Sequence, residues 1–308
     1  MSRQYLAWGA AEKAHPADIF SVAVGDKQVL TASGGPSIKV HSTVDTEFPL
    51  VQSFEAHKVG CHHVVTDASG KHAVTTGFGG ESKVWYCEDG HWSEDLPFSA
   101  LLANENLWAS VFSLDAQLLA GITPEGRIGL WHMPSSNKAR DYETNGNVGT
   151  CIDMSPDQKL IASGYANGAV CIIKTEDGRM PFSLAGLVKP VRTVAFSPGG
   201  RLLAAAGDAG VIVLYDTTSG EQIATLLGNT AWVMSLSWSD SGENLLSSSF
   251  DGKLKVWNVE TKTCVATNSI NSKAIWSAKW LPKSIRDNAF VAAGAHRSVA
   301  FYREATGA

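Results

Sequence analysis

Apolar positions along the chain come in short runs, never in the long 3.6-residue period of an amphipathic helix. The runs are rich in Val, Ile, Leu and aromatics and are separated by Gly, Asp, Ser and Pro, the pattern of strands joined by tight turns. Between residues 191 and 227 the order is VRTVAFS, the turn PGG, RLLAAAG, the turn Asp208-Ala209-Gly210, VIVLYD, the turn TTSG and EQIATLL. The next stretch repeats it with VMSLSWS, DSGE, NLLSSS, Phe250-Asp251-Gly252, KLKVWNV, ETK and TCVATN. Asp-Gly and Ser-Gly pairs suit such hairpins because Gly accepts the positive φ they require.

Aligning the runs that end on a large residue gives IKVH, SKVWY, IGLWH, VCIIK, IVLYD, LKVWN and VAFYR, anchored at His41, Trp85, Trp131, Ile173, Tyr215, Trp257 and Tyr302. Neighbouring anchors lie 42 to 46 residues apart. That period belongs to four-stranded blades, and the reading is an all-β fold, a seven-bladed β-propeller forming one domain over 1–308. The middle strands are apolar on both faces, as sheets stacked face to face demand. The seventh unit has three strands, AIWSAKW, NAFVAAG and SVAFYRE, and the alternating segment Gln4–Gly9 precedes the first complete unit. The N-terminal strand is therefore expected to join the last blade and close the ring, which removes an open edge.

These residues resemble the WD-repeat family over the whole chain. Ala14-His15 and Ala56-His57 stand where that family has Gly-His, and Trp85, Trp131 and Trp257 stand where its Trp closes the third strand. No Trp-Asp pair occurs. The family's network joins a His, a turn Asp, a strand Ser/Thr and the Trp. Here the repeats with the His carry Gly34-Gly35 and Gly79-Gly80 at the turn, and those with Asp208 and Asp251 lack the His, so no repeat is expected to complete it. Within the family, the segment 229–265 and the ending RSVAFYREATG resemble the small WD-repeat subunits of Ski (superkiller) complexes. That resemblance implies a non-catalytic scaffold in a helicase assembly that supports exosome-mediated cytoplasmic mRNA decay. Its partners would be a tetratricopeptide-repeat scaffold subunit and an RNA helicase. The propeller itself would be monomeric, in one or two copies per assembly, and relatives serve in transcription elongation and meiotic recombination complexes.

With 44% hydrophobic and 18% charged residues the chain has material for a sizeable core. A net charge of −5 and 25 dispersed Lys and Arg argue against direct nucleic-acid binding. No apolar run reaches the length of a membrane span, and Met1–Ala10 does not read as a secretory signal. Five cysteines, none at C-x-x-C spacing, read as free thiols of a reducing compartment, hence cytoplasm and also nucleus.

The loops entering the first strand of each blade, and those between its second and third, should form one face. The matching positions at the start of the first strands are Phe20, His62, Trp108, Thr150, Arg192, Met234 and Trp276, with Trp232 close by. Phe, Trp, Met and Arg are the types enriched at protein interfaces, so the expected protein-binding surface combines them. The competing reading is that some rings plug the channel or pack between blades. Asp18 and Glu105, each close to an aromatic, are candidate seats for a partner's Arg, whereas Asp208 and Asp251 suit the holding of their turns. No nucleophile elbow, phosphate loop or H-E-x-x-H occurs. Cys61, His62 and His63 are adjacent, but strand neighbours point to opposite faces, so no metal, cofactor or catalytic site is expected. Channel-lining positions are expected to be mainly aromatic or apolar, unlike propellers that hold metals or hydrolyse lactones. A reader of histone tails or other short peptides is the alternative, with Asp18, Phe20, Glu105 and Trp108 as its cage.

Overall fold

The computed structural model describes residues 3–133, 135–144, 147–270 and 272–305. They form seven four-stranded antiparallel sheets arranged in a ring. The first, innermost strands are Ile19–Val24, Cys61–Thr66, Ala109–Phe112, Gly149–Met154, Val191–Phe196, Val233–Trp238 and Ile275–Trp280, which number the blades 1 to 7. One helix, Leu96–Leu102, occurs among the described residues, ahead of blade 3; Asp95 caps it by accepting from Phe98 N at 3.0 Å.

Closure follows the expected route. Tyr5–Ala11 pairs antiparallel with Val299–Glu304, from Tyr5 opposite Glu304 to Ala11 opposite Val299, and completes blade 7. The closing strand is held at both flanks. Tyr5 is buried against Trp280 and Phe290, and its carbonyl accepts from Asn268 of blade 6 at 2.7 Å. On the other side Phe48 of blade 1 stacks on Phe301 with centroids 3.6 Å apart.

The core is distributed along the seams. Seven apolar clusters each combine residues of two neighbouring blades, such as Val191, Val194 and Phe196 against Ala162, Val170 and Ile172. Each blade thus depends on both neighbours for burial, the physical reason its middle strands are apolar on both faces.

One sequence expectation is corrected here. Blade 2 does complete the hydrogen-bonded network, with Glu81 in place of the turn Asp. His57 Nδ1 bonds Glu81 Oε1 at 3.0 Å, His57 Nε2 bonds Thr75 Oγ1 at 2.8 Å, and Trp85 Nε1 donates to Thr75 Oγ1 at 2.8 Å. The turn Gly79-Gly80, with Gly80 at φ 85°, lets Glu81 fold back to the ring. Elsewhere the network is partial. Trp257 Nε1 donates to Ser247 Oγ at 2.9 Å, and His15 bonds Thr31 at 2.8 Å. In blade 3 the Thr75 position is Gly121, filled by Leu107, and Trp131 Nε1 is buried with no partner.

Candidate functional site

In six of the seven blades the pairing of the first and second strands shifts register at one position near the start. The residues skipped are Phe20, His62, Thr150, Arg192, Met234 and Trp276. A bulge re-aims the side chain it carries. Here these six side chains, with Trp108 of blade 3, line the channel, which encloses about 650 Å³. The repeated position found by counting along the sequence is thus a repeated structural device.

The mouth is edged by an arc of touching rings. Trp108 stacks on His62 at 4.3 Å, His62 meets Phe78 at 5.1 Å, and Phe78 meets Phe20 at 5.4 Å. Phe20 then meets Trp276 at 5.4 Å, Trp276 meets Phe250 at 5.7 Å, and Phe250 meets Trp232 at 5.2 Å. Arg192 ends the arc over the Trp232 ring at 4.6 Å, held by a two-point bond to Asp208 whose second contact is 3.0 Å. The arc runs from blade 3 through blades 2, 1, 7 and 6 to blade 5. Thr150, the blade 4 member, turns its hydroxyl to Gly164 O at 2.8 Å and Val191 O at 2.6 Å.

Phe78, Trp108, Trp232 and Phe250 stay 40–45% exposed although each packs on a neighbour. Fixed but solvent-facing aromatics offer contact area without the entropy of ordering it on binding. Phe20 and Trp276 are half-buried within the arc and support its exposed members. Burial pushes the pKa of His62 down to about 3, so at neutral pH its contact with Trp108 is between two uncharged rings.

The acidic candidates separate. Asp18 accepts from Trp276 Nε1 at 3.2 Å and sits half-buried beside the arc. Glu105 is not available for a partner's Arg, because Lys138 bonds both its oxygens at 2.9 Å and Arg127 lies at 3.6 Å. Asp208 faces Arg192 instead of holding its turn, while Asp251 does hold its turn, accepting from Lys253 N at 3.2 Å. Sequence reasoning missed Phe78 and Phe250. Both occupy the residue just after the second strand, and a large apolar side chain inside a Gly- or Asp-rich turn is the signal that would have found them.

Below the mouth the wall is mainly apolar, as expected, with polar groups set into it. The channel is also lined by Ser21, His63, Thr193, Ser235, Asp153 and Lys279. Asp153 of blade 4 is pushed up to about 6 by burial, against the bond it accepts from Phe196 N at 2.7 Å. Lys279 of blade 7 keeps contact with solvent inside the channel, yet protein surrounds it and lowers its pKa, with Asp153 opposing. His63 lines the same channel as His62 and bonds the backbone of Ser110. Among the described residues no cluster of three or more His, Cys, Asp or Glu could hold a metal ion, and all five cysteines are free.

Residues 139–174, 182–216 and 220–258 match the WD domain, G-beta repeat family. Each match begins in or just before the outer strand of one blade and ends at the third strand of the next, the same stagger that ring closure uses. The chain is similar to meiotic recombination protein rec14 of Schizosaccharomyces pombe, with 40% identity over 198 residues, 64% of this chain and 65% of that protein. It is 24% identical over 169 residues to WD repeat-containing protein SL1-17 of Schistosoma mansoni, 55% of this chain and 54% of the relative. With antiviral protein SKI8 of Saccharomyces cerevisiae the identity is 28% over 212 residues, 56% of this chain and 53% of the relative. The chain thus spans between about half and two thirds of the length of these curated relatives. Seven four-stranded sheets in a ring and the staggered closure make the chain a seven-bladed β-propeller, and three of its stretches carry WD repeats.

Proposed function

We propose that this propeller is a scaffold whose channel mouth captures a segment of a partner protein. The observation that carries the reading is the aromatic arc, in which Phe78, Trp108, Trp232 and Phe250 remain exposed while fixed by their neighbours. A partner's apolar side chains cover these rings, and its Arg or Lys faces Asp18 beside Trp276. The assembly is of the Ski type, with a tetratricopeptide-repeat subunit and an RNA helicase as partners. RNA reaches it through those partners, and the chain works in the cytoplasm and the nucleus. The resemblance of the segment 229–265 and the similarity to antiviral protein SKI8 support this reading. The 40% identity to meiotic recombination protein rec14 favours a second assembly, one acting in meiotic recombination.

The test is affinity capture from the native organism with wild type and a Phe78→Ala, Phe250→Ala double variant. Both residues stand on exposed turns, so the variant should melt close to wild type. Capture of helicase and tetratricopeptide-repeat proteins by wild type, lost in the folded variant, is the expected result. Recombination proteins in their place would favour the second assembly. Unchanged capture by the variant would reject the arc as the binding surface.

A further inference from the structure

The first strand of every blade turns one backbone edge toward its neighbour in the ring, and those amides and carbonyls need partners. Six of the seven seams supply them from side chains. Ser21 of blade 1 bonds Val64 N and O of blade 2 at 3.2 Å, and His63 of blade 2 bonds the backbone of Ser110 in blade 3 at 2.9–3.1 Å. Asp153 of blade 4 accepts from Phe196 N of blade 5 at 2.7 Å, and Thr193 of blade 5 accepts from Leu236 N of blade 6 at 3.2 Å. Ser235 of blade 6 accepts from Ala278 N of blade 7 at 2.9 Å, and Ser277 closes the circle by accepting from Val22 N at 3.2 Å.

The seam between blades 3 and 4 differs. The blade 3 positions matching these groups are Ala109 and Val111. Among the described residues, no side chain of that strand bonds the first strand of blade 4, and Ser110 Oγ is buried without a partner. The mouth contacts agree. Among the described residues, ring or cation contacts cross the seams 2–3, 1–2, 7–1, 6–7 and 5–6 but neither 3–4 nor 4–5, and at 4–5 the Thr150 hydroxyl reaches Val191 O at 2.6 Å instead. What crosses 3–4 near the channel is apolar packing of Ile122, Ile128 and Leu130 on Ile152 and Met154, with Gly149 N bonding Pro124 O at 3.2 Å where the strand begins; farther out, Tyr142 OH donates to Thr175 O at 2.6 Å. Apolar contact has no preferred direction, so at the channel the two inner faces can slide or part slightly without breaking a side-chain bridge between their first strands.

We infer that the 3–4 seam is the joint at which this ring opens, so that the mouth changes width beside Thr150 while the other six seams hold. Hydrogen–deuterium exchange on the full chain tests it. Amides of 149–154 should exchange faster than those of 61–66, 233–238 and 275–280. Ala109→Ser restores the hydroxyl that Ser21, Ser235 and Ser277 provide, and should slow exchange in 149–154 by about 2- to 10-fold, the worth of one net hydrogen bond. Conversely Ser235→Ala should speed exchange in 275–280 by a similar factor. The inference falls if wild-type 149–154 is as protected as its three counterparts. It also falls if Ser235→Ala leaves 275–280 unchanged, or if a folded Ala109→Ser leaves 149–154 unchanged.

Discussion

Replacing Thr75 by Val keeps the volume of the side chain and removes the one hydroxyl that joins the blade 2 network. Trp85 Nε1 then loses its acceptor and His57 Nε2 its partner, both 2.8 Å away in the intact protein. Thr75 is fully buried, and no water can replace it without rearrangement. A buried polar group left unpaired costs about 1–3 kcal/mol, so two of them amount to about 3 kcal/mol at the lower half of that range. With an unfolding entropy of about 2.1 cal/mol/K per residue, a chain of 308 residues loses about 5 °C of melting temperature for that change. Calorimetry or circular dichroism melts of Thr75→Val, Trp85→Phe and the double variant measure it. The double variant should fall short of the sum by about 1 kcal/mol, because both single changes break the same bond. Trp131→Phe is the internal control. Both Trp→Phe changes remove the same ring volume from a buried site, but the Trp131 indole N–H has no partner, so Trp131→Phe should carry the cavity cost alone and lose about 1 kcal/mol less than Trp85→Phe. A Thr75→Val melt within about 1 °C of wild type, or a Trp131→Phe loss equal to that of Trp85→Phe, would refute the assignment of a stabilising role to this network.

Acid should destabilise the fold well above the carboxylate range. Burial holds His15 at about 3 and His41 at about 4, below the ordinary 6.5, so the unfolded chain binds protons that the folded one refuses. Their contribution is complete above pH 6.5 and is lost as pH falls toward those values, about 2 kcal/mol each at pH 5. Asp153, raised to about 6, has the opposite sign between 6 and 3.8 and returns about 1 kcal/mol at pH 5. A melting temperature that stays constant from pH 7 to pH 5 would contradict this. Gly121→Ser offers Trp131 a hydroxyl, but its Cβ would come within 2.7 Å of Leu107 Cδ1, so the single variant should lose about 1–3 kcal/mol in denaturant titration and Leu107→Val should recover part of it. Titration of thiols in the native protein should label Cys264 first, since it is the exposed one, with Cys61, Cys151 and Cys171 reacting only on unfolding; simultaneous labelling of all five would show an open or unstable ring.

Much of the site was legible from the chain alone, because a repeat makes each position its own control. Seven aligned units identified Phe20, His62, Trp108, Arg192, Met234 and Trp276 as one structural position, and all of them line the channel. Turn residues were harder to read. Phe78 and Phe250 vary in type across the blades, with Asp208 in the same place in blade 5, so no shared residue marked them. Glu105 misled because nearness in sequence to Trp108 says nothing about Lys138, in the outer strand of the same blade, which neutralises it. Glu81 was overlooked for a similar reason, since a carboxylate displaced along the chain can still reach His57 once two glycines fold the turn.

What the sequence by itself determined was the set of local and periodic properties: strand length, turn chemistry, blade count and the stagger that makes the first strand complete the last blade. These follow from side-chain alternation and the dihedral needs of Gly and Asp, which act over a few residues. The tertiary structure alone decided which groups meet across seams. Asp153 facing Phe196, Arg192 over Trp232 and the apolar 3–4 seam each depend on the rotation between neighbouring sheets and on a bulge that swings one side chain into the channel. Those contacts join residues half a repeat or more apart in the chain, and no local preference encodes them; they exist because closing a ring forces every blade to find its partners at once.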